Sequence, residues 1–259
     1  VDEGARLDAI RRRGALRVGY LPNSLPFAFF NQRDDLVGFD VELAHRLAGE
    51  LQVGLEFVPV DRQVLDAQLA AGVCDLVMSG VAVTTDAASR TLFSSSYLDE
   101  TVGLLVRDAD RARFATWDAV RAAGAIRLSI PNVPYYIARL RELAPDAALQ
   151  PFTDLEAELQ ASPPPFDALA LPAERGSAWT LIYPQYSVVV PGPGTIRVPL
   201  AYPLARRDEE FASFINTWIE LKRKDGTIDA LYQYWILGRN AEPPKPRWSI
   251  MRNVLYWVD

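Results

Sequence analysis

Short apolar runs alternate with amphipathic segments along the first hundred residues of the chain. The runs at 16–20 and 55–60, and a third run beginning at Asp75, have the length and composition of buried strands. Between them, 36–51 and 64–71 place apolar residues three and four positions apart, which predicts helices. Strands and helices alternating in this order predict a parallel sheet with right-handed crossovers.

The same alternation continues through the second half of the chain. Extended runs are predicted at 102–107, 126–130, 149–152, 167–171, 186–190 and 197–205, and helices at 116–123, 134–140, 153–161, 173–181, 208–224 and 231–237. The strongest helical pattern is 208–224, which carries basic residues at its end and is followed by Gly226. We therefore predict an α/β fold in which a second α/β unit is inserted into the first.

The predicted boundaries follow from these patterns. Residues 1–101 and 197–238 form the first lobe, and 102–196 form the inserted second lobe. Residues 239–259 are a separate tail, stiffened by prolines and rich in aromatic residues. This tail either folds back onto a lobe or docks on a membrane or a partner chain.

Composition limits the classes of function. A length of 259 residues permits two lobes of roughly 100–130 residues each. The net charge of −6, with acids and bases interspersed, disfavours a nucleic-acid partner. No apolar run approaches the roughly 20 residues that span a bilayer, and the charged N-terminus does not read as a signal peptide. These features predict a cytosolic chain, or the mature or excised part of an exported protein.

Enzyme and metal signatures are missing from the sequence. There is no G-x-S-x-G elbow, Walker loop or H-E-x-x-H motif, and the chain has one histidine and one cysteine. No metal, cofactor or catalytic residue is therefore predicted, although the plentiful acids leave paired carboxylates open. Cys74 is expected to be a packed core thiol, because His45 offers it no evident partnership.

One stretch, 75–97, carries a family signature. It reads aspartate, apolar strand, glycine, threonine and then Phe-Ser-x-x-Tyr, with the matching positions at Asp75, Gly80, Thr84, Phe93, Ser94 and Tyr97. This pattern resembles the bacterial extracellular solute-binding proteins of family 3, the polar amino-acid-binding type. The runs 17–19, 26–27 and 38–41 match the family's opening, and the resemblance extends over about 16–237. It implies a two-lobed type II periplasmic-binding-protein (Venus-flytrap) fold with two hinge strands.

The resemblance also shows where this chain departs from the family. The family arginine that clamps the α-carboxylate of the ligand would follow Thr84 by three residues, and that position is Ala87. The family's ligand-stacking aromatic residue falls at position 24, which is Ser24 in this chain. The family's threonine, whose hydroxyl helps to hold the ligand carboxylate, falls at position 82, which is Ala82. Arg62 follows the second strand at another pocket position, and either supplies the missing positive charge or is a solvated surface arginine.

The second lobe departs from the family as well. Val133 and Pro134 replace the Gly-Thr pair at a helix N-terminus, so one backbone donor is lost. Asn132, Tyr135 and Tyr136 offer polar groups there, and Glu174 is either a contact for a cationic group or a helix-dipole residue. The complete set of candidate ligand-binding residues is Tyr20, Ser24, Phe27, Arg62, Ser79, Gly80, Ala82, Thr84, Asn132, Tyr135 and Glu174.

The function expected from the resemblance is capture of a small polar or anionic organic solute between two lobes and its presentation to a membrane transporter. The location is expected to be periplasmic or extracytoplasmic, and an excised domain is expected to be monomeric. The main alternative is a sensing or regulatory domain, with a degenerate pocket, attached to a membrane protein through a longer chain. A fainter likeness, over the tail and the run GSAWTLIYP, is to solute-binding domains joined to cation:dicarboxylate symporters. A third alternative is an enzyme resembling cyclohexadienyl dehydratases, which share the arginine clamp that this chain lacks.

Overall fold

The structure of the protein, a computed structural model, describes residues 5–238. The strands over these residues are β1 (Ala15–Tyr20), β2 (Phe29–Phe30), β3 (Leu36–Val37), β4 (Gly54–Pro59), β5 (Leu76–Val77), β6 (Leu92–Phe93), β7 (Leu98–Arg107), β8 (Arg127–Pro131), β9 (Ala148–Phe152), β10 (Ala168–Pro172), β11 (Tyr186–Val189), β12 (Arg197–Leu200) and β13 (Pro203–Leu204). The α-helices are α1 (Arg6–Arg13), α2 (Phe39–Leu51), α3 (Leu65–Ala70), α4 (Thr85–Arg90), α5 (Trp117–Ala122), α6 (Pro134–Leu143), α7 (Leu155–Gln160), α8 (Ala173–Ile182), α9 (Glu209–Lys224) and α10 (Thr227–Trp235). The predictions made for the tail, 239–259, lie outside the described residues.

The described chain divides into two compact units. Residues 5–99 and 199–238 form unit 1, and residues 100–198 form unit 2. The chain passes from unit 1 to unit 2 within β7 and returns within β12.

Unit 1 is built on a five-stranded sheet in the order β4-β1-β5-β13-β6. β1 pairs in parallel with β4 and with β5, which confirms the parallel arrangement predicted for the first three long runs. β13 pairs antiparallel with both β5 and β6. The carboxyl ends of β1, β4 and β5 therefore share one edge of the sheet.

The helices of unit 1 bury the faces that their spacing predicts. α2 buries Leu43, Ala44, Leu47 and Ala48, and leaves His45 exposed beside that face. α9 buries Phe211, Ile215, Trp218 and Ile219 at the same helical spacing. Burial of these side chains supplies most of the free energy that holds helices of this length in place.

The start of α2 is fixed by a close approach between two backbone segments. Gly38 has a φ of 137°, and a Cβ atom there would lie 2.3 Å from the carbonyl oxygen of Phe27. The amides of Phe39 and Asp40 donate to the carbonyl oxygens of Pro26 and Phe27, at 3.0 Å each. The first free N–H groups of the helix are thus satisfied by the loop that follows β1.

The signature aspartate, Asp75, is a structural residue of unit 1. Its carboxylate accepts a hydrogen bond from the backbone N–H of Arg17 at 2.8 Å and pairs with Arg13 and Arg6. Burial raises the pKa of the Asp75 carboxyl, and the hydrogen bond from Arg17 and the two guanidinium groups oppose that rise. Asp75 therefore ties α1, β1 and the start of β5 together.

Unit 2 contains the second sheet, in the order β11-β7-β10-β8-β9, with β12 also paired to β7. β8 pairs in parallel with β9 and with β10, whereas β7 runs antiparallel to β10 and β11. Thr116 caps α5 as predicted, through a hydrogen bond from the Ala119 N–H to its Oγ1 at 3.0 Å. α7 begins later than predicted, because Asp154 and not Thr153 accepts from its first N–H groups.

Three further details differ from the sequence predictions. The run 197–205 is split into β12 and β13, because the two pieces pair with different strands. α10 begins at Thr227, four residues earlier than predicted, directly after Gly226 in the left-handed conformation. β2 and β3 form a short antiparallel ladder that the sequence did not predict.

Among the described residues, no helix combines the length and apolar character needed to cross a bilayer.

Cys74 is buried, and its titration gives a testable pH dependence. Burial, followed by the charge of Asp75, raises the pKa of the thiol from its ordinary 9.0 to about 11. Between these values the unfolded chain loses the proton while the native state keeps it, so stability falls as the pH rises. From pH 8 to 10.5, the free energy of unfolding should fall by about 2 kcal/mol more in the native sequence than in Cys74→Ala. Urea titrations at both pH values measure this difference, and equal losses in the two proteins would show that the thiol titrates normally.

Candidate ligand-binding site

Two loops of unit 1 leave the sheet at the edge where parallel strands end. The first, 21–28, follows β1, and the second, 78–84, follows β5. In open α/β sheets, ligands bind beside the carboxyl ends of the strands. Ser79 joins the two loops, because its buried hydroxyl accepts from the N–H of Leu21 at 2.9 Å and donates to the carbonyl of the same residue at 3.3 Å.

A buried carboxylate, Asp40, forms the second link to loop 78–84. Its side chain is inaccessible to solvent and accepts from the N–H of Gly80 at 2.6 Å. The hydroxyl of Tyr97 donates to it at 2.7 Å and that of Tyr202 at 3.3 Å. Burial and the neighbouring Asp40 charge hold the pKa of Tyr202 well above its usual range, so this hydroxyl stays a donor. Asp40 thus fixes Gly80, which has a φ of 60°, from beneath the loop.

An aromatic cluster surrounds this carboxylate. Tyr97 stacks on Tyr202 at 4.4 Å between ring centroids and on Phe39 at 6.0 Å. Phe27 contacts Phe39 edge to face, also at 6.0 Å, and is fully buried. The sequence proposed Phe27 as a ligand contact. The structure instead buries the side chain of Phe27 in the aromatic cluster around the Asp40 carboxylate.

The position of the family's arginine clamp lies in α4. Thr84 caps this helix by accepting from the N–H of Ala87 at 3.2 Å. Ala87 is half-buried and presents only a methyl group. Arg90, one turn later, points its guanidinium to Asp86 at 2.7 Å. α4 is therefore capped by the threonine of the family motif and has no cationic side chain at position 87.

The other predicted residues of unit 1 occupy different surroundings. Ser24 is buried in a tight turn, in which the N–H of Phe27 donates to its carbonyl oxygen at 2.7 Å. Tyr20 is buried and contacts the rings of Phe30 and Phe57. Ala82 forms an isolated bridge with Leu200. Arg62 is exposed, in the 3-10 turn that follows β4, after the capping residue Asp61.

The candidate residues of unit 2 lie at the starts of α6 and α8. Pro134 is the first residue of α6, as predicted, so that turn lacks one N–H donor. Asn132 and Tyr135 are exposed there. Glu174 is largely buried in the first turn of α8 and accepts from the N–H of Thr101 at 3.2 Å.

The structure brings Tyr20, Ser24, Phe27, Ser79 and Gly80 together around the two linked loops, directly or through their backbones. Sequence reasoning missed Asp40 and Tyr202 as the groups that hold these loops. A signal for Asp40 was present, because it lies within the run 38–41 that matches the family's opening. Tyr202 had no such signal, since it lies 162 residues from Asp40 along the chain.

The chain is similar in structure and in sequence to known solute-binding proteins and to a related enzyme. An ancestral cationic amino-acid solute-binding protein (AncCDT-1) has a TM-score of 0.74 and 27% identity, and the match covers 90% of this chain and 100% of that one. Cyclohexadienyl dehydratase of Pseudomonas aeruginosa is 26% identical over 241 residues, which cover 90% of this chain and 86% of that protein. The L-cystine-binding protein TcyJ of Escherichia coli is 25% identical over 236 residues, with coverage of 90% and 86%.

These neighbours define the class of fold as that of two-lobed type II periplasmic binding proteins, as the sequence predicted. The model of the bacterial extracellular solute-binding proteins, family 3, matches residues 16–238. The chain belongs to this family.

Proposed function

We propose that the protein captures a small polar or anionic organic solute and presents it to a membrane transporter outside the cytoplasm. The observation that carries the proposal is the cross-linking of loops 21–28 and 78–84 by Ser79 and Asp40, in a chain of a solute-binding family. Loops fixed in this way form a largely preformed wall for a ligand. Asn132, Tyr135 and Glu174 are the proposed contacts from unit 2.

The ligand class is argued from the residues that replace the family's α-carboxylate grip. Ala87 and Ala82 remove the clamp and the adjacent hydroxyl, and Ser24 removes the stacking ring. Arg62 is the exposed cation after β4, at the same sheet edge as the two loops. A guanidinium there would pair with a carboxylate or a phosphate. An organic acid therefore fits these residues better than an ordinary α-amino acid.

A thermal-shift screen of organic acids, amino acids and amines tests this proposal. A ligand that binds only the native state stabilises it, by about 2.7 kcal/mol when the ligand concentration is a hundred times Kd. The melting temperature therefore rises. We expect the largest shifts from organic acids. A larger shift from α-amino acids would overturn the ligand class, and no shift from any compound would overturn solute capture itself.

Arg62→Ala should weaken binding of the acid found in that screen by at least roughly tenfold, up to its complete loss. The melting temperature should stay nearly unchanged, because Arg62 is exposed. Arg46→Ala is the matched control, since Arg46 is an exposed arginine on α2 of the same unit. Unaltered affinity in Arg62→Ala, measured by calorimetry, would refute the role of Arg62.

One relative favours a second candidate function. The chain is 26% identical to a cyclohexadienyl dehydratase over most of both lengths, and Glu174 is a largely buried acid in the first turn of α8, in unit 2. A dehydratase activity would release the ring hydroxyl as water and the ring carboxylate as carbon dioxide from a prephenate-like acid, and so form an aromatic product. Incubation with such an acid, followed by ultraviolet absorbance, distinguishes catalysis from binding. An aromatic product that Glu174→Gln no longer forms would establish the enzyme.

The degenerate side chains at 24, 82 and 87 favour a third candidate, a sensing or regulatory domain of a membrane protein. The likeness to symporter-linked domains belongs to this candidate and stays a prediction. The full reading frame distinguishes it, because membrane spans in the same chain favour a tethered domain.

A further inference from the structure

A second pocket of unit 1 lies apart from the loops described above. It has a volume of about 350 Å³, and its charged lining residues are Asp66, Arg90, Arg206 and Arg207. The buried residues Leu204 and Ala205 form part of its floor. The pocket thus combines an apolar floor with several guanidinium groups.

The sheet topology places this pocket at the opposite edge from the candidate ligand loops. β13 runs antiparallel to β5, so its carboxyl end, which leads into Ala205–Arg207, lies where β5 begins. β6 also pairs antiparallel with β13, so Arg90 and Thr91, which precede β6, lie at that same edge. Loops 21–28 and 78–84 leave from the other edge, where β1 and β5 end.

The arginines differ in how they are held. Arg206 donates from Nη1 to the carbonyl oxygen of Ser89 at 2.7 Å, which fixes its side chain across the end of α4. Arg90 pairs with Asp86. Arg207 is exposed and makes no hydrogen bond or ion pair with the residues that the structure describes. Three guanidinium groups and one carboxylate give the lining an excess of two positive charges, which Asp86 reduces to one.

This local excess stands out in a chain whose net charge is −6. Guanidinium groups form paired hydrogen bonds with carboxylates and phosphates. A volume of this size is at the lower end of the range for small-molecule sites, about 300–1,000 Å³. We propose that the pocket binds a small organic anion, a carboxylate or phosphate carried on a short apolar body, separately from the solute site. A concave pocket of this volume favours a small molecule over an acidic segment of a partner protein.

Titration calorimetry with the full chain tests the proposal, with inorganic phosphate, glutarate and tetraglutamate as probes. Phosphate and glutarate represent the two sources of the same chemistry, and the stronger binder identifies the source. Arg207→Gln should weaken that binding by at least roughly tenfold, because a charged hydrogen-bond pair is lost. Arg207→Lys keeps the charge without the planar pair of donors, and should weaken binding as well, so it serves if the glutamine variant folds poorly.

Two variants serve as controls. Arg46→Gln removes an exposed arginine of the same unit away from the pocket and should leave the affinity unchanged. Arg62→Ala alters the proposed solute site, so it should remove any solute-site component of the titration and retain the component that Arg207→Gln weakens. Loss of binding in Arg62→Ala with retention in Arg207→Gln would place the anion in the solute site and overturn the proposal. Equal loss in Arg46→Gln, no saturable binding of either small anion, or binding of tetraglutamate alone would overturn it too.

Discussion

Asp40→Ala is expected to lower the free energy of unfolding by about 3–5 kcal/mol, since it removes a buried, fully bonded carboxylate. Three donors lose their acceptor, namely the N–H of Gly80 and the hydroxyls of Tyr97 and Tyr202. None of them gains water in exchange, because the Asp40 side chain is inaccessible to solvent. Urea unfolding followed by circular dichroism measures the loss.

An exposed aspartate of the same unit is the matched control for this substitution. Asp8 lies in the first turn of α1 and pairs with Arg11 at 4.0 Å, with both side chains mostly exposed. Asp8→Ala should lower stability by no more than about 1 kcal/mol. A similarly small loss in Asp40→Ala would show that the buried network is not needed for stability.

Gly38→Ala is expected to destabilise the protein by on the order of 3 kcal/mol or more. A φ of 137° is strained for any residue with a Cβ atom, which alone costs about 1–3 kcal/mol. The new methyl group would also lie 2.3 Å from the carbonyl oxygen of Phe27 and 2.9 Å from that of Pro26. Relief of these contacts requires loop 21–28 to leave the N-terminus of α2, so the melting temperature should fall sharply.

The same helix supplies the control for the glycine substitution. Gly49 lies within α2, and a Cβ atom there meets nothing within 4 Å. Gly49→Ala should therefore stabilise the protein by about 0.5–1 kcal/mol, because alanine restricts the unfolded chain and favours helix. If both variants changed stability by the same amount, the backbone contact at Gly38 would have no particular role.

The sequence predicted the fold well because its strongest signals are local. The spacing of Phe211, Ile215, Trp218 and Ile219 is enough to define one buried helical face, and the structure places that face in the core. The short pieces were less predictable. β12 and β13 read as one extended run, and only their pairing with different strands, far apart in the chain, separates them.

The candidate site was harder to predict, for a physical reason. The sequence identified the loops, since they follow strand ends and carry the family's motif. It did not show that Phe27 faces inward, because that depends on how the loop packs against Phe39 at the start of α2. Nor did it show that Asp40 lies beneath Gly80, because that contact joins residues 40 positions apart. Side chains that support a loop and those that touch a ligand share one composition, and only the three-dimensional arrangement distinguishes them.

The hydroxyl of Ser79 has a consequence for the kinetics of binding. Because the hydroxyl bonds both the N–H and the carbonyl oxygen of Leu21, the starts of loops 21–28 and 78–84 are held to each other. A solute arriving there would not need to order them, so little conformational entropy would be lost on association. Arrival at this wall should then be limited by diffusion and orientation, and differences between solutes should lie mainly in their rates of departure.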